Sequence, residues 1–135
     1  MNTHPYLRAY MAGVALPTMF LVLAITFFAF YQFASQAPIK IERVIIFPMA
    51  VVPSLWGLWN MLYIFLQSRR PFSIGLHGAI LPWLLAPLGY ALQRSLDIMI
   101  WTPETFAIGF PVALVVYYLV WKYVVSFFNE VVGVA

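Results

Sequence analysis

Four apolar runs follow one another along the chain, at about residues 11–33, 42–66, 74–97 and 104–128, each close to the ~20 residues that a bilayer-spanning helix needs. Only short polar connections separate them, too short to hold a separate soluble domain. Such a pattern leaves one fold class open: an all-α integral membrane protein, with residues 1–135 forming a single four-helix transmembrane bundle. The backbone polar groups of a span must be satisfied inside the span, which is why helices and not open strands are expected. Composition agrees, with 64% hydrophobic and 8% charged residues and a mean hydropathy of +0.93.

The third run carries the clearest siding. On an α-helix Gly75, Gly78, Ala79, Pro82, Ala86, Gly89, Gln93 and Asp97 fall within about 60° of one line, with Leu76, Ile80, Leu81, Leu84, Leu88 and Leu92 off it. The helix is sided by size and not by polarity. In lipid, a slim face lets another backbone approach closely. The second run places Ala50, Ser54, Gly57 and Met61 on one face and gathers Trp56, Trp59 and Tyr63 elsewhere. The expectation is that its small residues face inward and its aromatics outward.

The first run follows Tyr6, Arg8 and Tyr10, a set suited to headgroup level, and ends in Phe27, Phe28, Phe30, Tyr31 and Phe33, an opposite girdle. It is longer than the ~7 to 15 apolar residues of a signal-peptide core, so a retained helix is expected. Thr102 and Pro103 read as N-cap and first position of the fourth helix. Lys122, near that helix's end, can snorkel to the headgroups. Residues 129–135 read as a short tail.

Two motifs recur in order. Gly13 and Pro17 are echoed by Gly78 and Pro82 in the form Gly-x-x-Leu-Pro, and Phe47-Pro48 is echoed by Phe110-Pro111. Proline removes the hydrogen bond to the carbonyl four residues back and crowds it, and a glycine there adapts most easily. The proline-kinked helices are thus readable as two related helical hairpins, for which apolar composition alone is the competing explanation. As a repeat, the pattern places the first and third helices near the bundle centre, the first seated in the slim groove of the third.

Orientation rests on the basic residues. Arg69 and Arg70 share the short turn at residues 67–73, which belongs on the cytoplasmic side. Arg8, Arg69, Arg70 and Lys122 then lie inside and Lys40, Arg43 and Arg94 outside, with Glu42, Asp97 and Glu104 also outside. Both termini are expected in the cytoplasm, and the membrane is the inner one if the source is bacterial.

Candidate chemistry is sparse. The chain has no cysteine, which excludes disulfides, thiolate nucleophiles and Cys-ligated metals. His4 and His77 are the only histidines, and His77 points away from the slim face of its helix, so neither haem nor metal ligation is expected. Asn60 is the most deeply placed amide and Gln93 extends the slim face. For both, an interhelical hydrogen bond outweighs a ligand-binding role. Arg94 and Asp97, three apart, can pair with each other and with Glu42, Arg43 and Glu104 to close one end of the bundle. Hydrolase, phosphate-loop and dinucleotide signatures are absent.

The expected function is therefore non-catalytic: a helical bundle acting as an oligomer or as an accessory subunit of a membrane complex. No cofactor or metal is expected. The partners are the lipid bilayer and a second copy or another membrane protein, and the net charge of +3 reports orientation and not nucleic-acid binding. The alternative is a small-solute transporter or channel subunit built from two two-helix repeats, with prolines creating irregular backbone beside a cavity.

Overall fold

The computed structural model describes residues 3–36, 41–97 and 102–134, and among these the regular structure is entirely helical. Four helices are long and apolar enough to cross a membrane: α1 (Pro5–Ser35), α2 (Ile41–Gln67), α3 (Ile74–Ser95) and α4 (Pro103–Val131).

Local chemistry explains where they begin and end. Pro5 occupies the first turn of α1, where its missing N–H is not needed, so the helix starts ahead of the apolar run. Thr102 caps α4 as its sequence indicates, its side chain accepting a hydrogen bond from the Thr105 N–H at 3.2 Å. At the other end of α4 the chain runs past residue 128. It closes with Gly133 at φ 75°, the Val134 N–H donating to the Asn129 carbonyl and the Gly133 N–H to that of Glu130. This crossed pair is the glycine-based helix stop, and it makes residues 129–131 part of the helix and not of a tail. α3 stops at Ser95, and Asp97 follows in a left-handed turn at φ 54°.

α2 is interrupted. Phe47 is extended, at φ −141° and ψ 128°, directly before Pro48, whose ring disfavours the helical region for the preceding residue. The same dipeptide at Phe110-Pro111 stays inside a continuous helix. α4 instead carries a π turn at Trp121–Val125.

α1 packs along α2, and α3 along α4; α2 also meets α3, and the C-terminal part of α4 meets α1. α1 and α3 share no packed face, which corrects the expectation that α1 sits in the groove of α3. The reason is that the slim surfaces around Gly13 and Gly78 are each taken up inside their own hairpin. A Cβ on Gly13 would lie 2.6 Å from the Trp56 carbonyl oxygen and 2.8 Å from the Gly57 Cα, while Gly78 lies directly under the Trp121 indole. The centre is filled by Trp56, Leu81, Trp121 and Val125. Trp56 and Tyr63 are thus buried and Ala50 and Ser54 exposed, against the siding read for α2, while Gly57 of the same small face is buried as expected, against Tyr10 and Val14 of α1.

A buried polar and aromatic layer as the candidate site

Among the described residues, three of the four buried polar side chains, Asn60, His77 and Asn129, gather in the half of the bundle nearer the termini, and Gln93 lies toward the other end. Asn60 of α2 and Asn129 of α4, both fully buried, face each other as a closed pair of amides. The Asn60 Nδ2 donates to Asn129 Oδ1 at 2.7 Å and the Asn129 Nδ2 donates to Asn60 Oδ1 at 3.1 Å. The second Asn60 N–H reaches the Ala9 carbonyl of α1 at 2.7 Å. That reach depends on Gly13, one turn along α1, because a Cβ there would come within 2.9 Å of the Asn60 Cβ. One amide therefore ties three helices together.

A second lock joins α2 to α3. The Trp59 Nε1 donates to the His77 carbonyl at 2.7 Å, and His77 Nε2 lies 2.7 Å from the Trp59 carbonyl. A carbonyl only accepts, so Nε2 carries the proton. The two rings stack, their centroids 4.6 Å apart and their planes 20° apart. Tyr63, Phe72 and Trp121 complete an aromatic enclosure around the imidazole at 5.3, 5.5 and 5.7 Å. His77 does lie off the Gly75 line, yet it is buried, because α3 has two neighbours: α4 covers Gly75 and Gly78, and α2 covers the histidine face. His4, by contrast, is exposed at the start of α1.

Above the amide pair, the Trp56 Nε1 donates to the Tyr117 hydroxyl at 3.3 Å, and the Trp56 ring packs against Trp121 at 5.4 Å. The buried Trp121 Nε1 has no acceptor among the described residues. Gln93, also buried, lies one turn beyond Gly89, where a Cβ would meet the Phe47 ring at 3.1 Å. Pro17 and Pro82 are buried within α1 and α3.

The charged group expected at the opposite end is brought together only in part. Arg43 donates to the Leu96 carbonyl at 2.8 Å and pairs with Asp97 at 3.4 Å. Arg94 lies over the Tyr90 ring at 5.8 Å, and Glu42 and Glu104 are exposed. Arg94 and Asp97 do not form the expected helical pair, since α3 ends between them. The Arg43–Asp97 bridge is solvent-facing and of the kind that contributes little. Among the described residues no three His, Asp or Glu side chains come together as a metal site.

Sequence reasoning picked out Asn60 and missed its partner, since ending the fourth helix at residue 128 put Asn129 outside it. The four-residue recurrence Trp121, Val125, Asn129 was the signal available. Comparison with protein-family models, curated proteins and solved structures yields no match.

Proposed function

We propose that this chain is a four-span integral membrane protein, with its termini and the Arg69-Arg70 turn in the cytoplasm, and that it works as a non-catalytic helical bundle. In this role it associates with a second copy or serves as an accessory subunit of a larger membrane complex. The observation that carries the reading is how the buried polar groups are used. The amides of Asn60 and Asn129, the Trp59 indole and the His77 ring are spent on bonds between helices, so the interior holds the bundle together and, among the described residues, presents no reactive constellation. The outer half of α1 and the first half of α4 meanwhile turn Phe20, Phe27, Phe30, Phe33, Ile108 and Val115 outward, an apolar surface suited to lipid and to other helices.

Two related hairpins are part of the same reading. Gly13 and Gly78, Leu16 and Leu81, Pro17 and Pro82, and Trp56 and Trp121 are all separated by the same distance along the chain, and each glycine packs on the tryptophan of its own hairpin. The two tryptophans then meet at the centre. The rival reading, a small-solute transporter subunit, draws on the extended backbone at Phe47 within α2.

Mild-detergent purification from the native host followed by native mass measurement tests the association. A complex larger than one chain is expected, and a monomer carrying no other protein would refute it. Solute flux in liposomes, lost on Asn60→Ala with the fold intact, would favour the rival.

A further inference from the structure

Along one side of α4, Ile108, Val112, Val115, Leu119 and Lys122 are exposed and follow one another by alternating steps of four and three residues. That spacing keeps a stripe facing a second helix wound around the first, and a lysine at a single seam position fixes register and partner. The sequence allows Lys122 to snorkel from near the end of its helix, but α4 runs on to Val131, roughly 13 Å further along the axis. Its ammonium also turns back the other way. It lies 5.8 Å from the Tyr118 ring, one turn toward the start of α4, and 5.3 Å from the Tyr123 ring, as the tilt of helical side chains toward the N-terminus favours. Among the described residues no acid pairs with it. The two rings offset the burial of the charge only in part, because an aromatic face is a weaker partner than a carboxylate.

We propose that this face of α4 seats a span of a different membrane protein, one that carries an Asp or Glu side chain at the depth of Lys122. The inference deepens the accessory-subunit reading above and rests on it. Charge decides between the two partners that reading allows. The four acids of the chain, Glu42, Asp97, Glu104 and Glu130, all stand at or beyond the ends of the spans. A second copy in the same orientation therefore brings no carboxylate to the level of Lys122, and the anion has to come from another chain. Lipid tails cannot supply it either. The apolar residues of the stripe give the partner helix its packing surface, and the ion pair sets its register.

The test uses the full-length protein in phosphatidylcholine vesicles with a synthetic leucine-rich spanning peptide that carries one Glu at the depth of Lys122, and the same peptide with Gln as control. Association is read by energy transfer between labels on the two. The Glu peptide should bind about fivefold more tightly than the Gln peptide. Lys122→Met should erase that difference and Lys122→Arg should keep it. The comparison of the two peptides needs no change in the protein, so a folding defect cannot mimic the result. Because the chain has no cysteine, the face can be read as well. Val115→Cys, two turns before Lys122, should form a disulfide with a cysteine two turns to the same side of the peptide's Glu, and Leu23→Cys on α1 should not. Equal binding of the two peptides, as expected of a lysine that serves only headgroups, would overturn the proposal, and so would equal cross-linking at the two cysteines. A dimer of the protein alone that Lys122→Met dissolves would make a second copy the occupant and overturn it too. The accessory role fails separately, when the protein from its native host carries no other protein. A native complex unchanged by Lys122→Met would leave that role standing and remove this face from it.

Discussion

Two carboxamides facing each other in an apolar interior satisfy one another as neither could alone. In the pair formed by Asn60 and Asn129 each side chain donates one N–H and accepts one, and the remaining Asn60 N–H finds Ala9. Breaking one member strands the other, whereas replacing both with apolar groups of similar size removes the need for either. Asn60→Leu or Asn129→Leu alone should therefore destabilise the bundle by about 1 kcal/mol, in the range of interhelical hydrogen bonds in membranes. The double variant should cost less than the sum of the two singles by about the same amount, read as a coupling energy from denaturation in mixed micelles. Strict additivity would show that the two amides do not act as a unit. Half of this pair was legible from the residues: an amide deep in an apolar run has to find a partner, and Asn60 stood out. Its partner did not, because an asparagine after the last hydrophobic residues looks like the end of a helix, and only the glycine stop at Gly133 shows that the helix continues through it.

At the scale of the element, α4 explains why helical periodicity alone misplaced the core. Trp121, Val125 and Asn129 recur every four residues and all are fully buried. On a uniform α-helix each such step drifts by about 40°, so the first and last would sit about 80° apart. The π turn at Trp121–Val125 holds an extra residue and keeps all three on the core face. Deleting the exposed Tyr123 should convert that turn to α and leave Trp121 and Asn129 seven apart, only about 20° out of line, so the amide pair should survive. Inserting one alanine after Tyr123 should rotate Asn129 by about 100°, off the core face, and abolish the pair. Thermal unfolding of the two variants checks this: the deletion should stay within a few degrees of the parent while the insertion loses cooperative unfolding, and equal damage from both would refute the register argument. The burial of aromatics on α2, where the outside was expected, has a related cause. Trp56, Trp59 and Tyr63 are compatible with a membrane interface or with an interior, and for Trp56 and Trp59 the interior is favoured because the indole N–H finds an acceptor there. Those acceptors are the Tyr117 hydroxyl and the His77 carbonyl, which belong to other helices and cannot be read from α2. The spans themselves were legible because length and hydropathy are properties of one segment at a time.

For the whole molecule, the division into hairpins predicts how it comes apart. Among the described residues, the contacts that cross from α1–α2 to α3–α4 near the termini include the amide pair, the reciprocal Trp59–His77 clasp, the Tyr63–His77 ring contact, the contacts of Trp56 with Tyr117 and Trp121, and the Arg8 bond to the Val132 carbonyl. None of them uses the connection at Arg69 and Arg70, which is exposed. In a bilayer each hairpin can insert by itself and then find the other through packing and interhelical hydrogen bonds. Residues 1–69 and 70–135 expressed as separate chains should therefore assemble, and a tag on one should recover the other from detergent extracts. The association constant should fall by about thirtyfold when Asn60→Leu and His77→Leu are combined, as two interhelical locks of about 1 kcal/mol each are removed. Substituting Leu23, exposed on the outer half of α1, should not change it. Assembly that is indifferent to Asn60 and His77 would place the hairpin interface elsewhere. Failure to assemble with both halves inserted would mean that the turn, and not the buried layer, holds the two hairpins together.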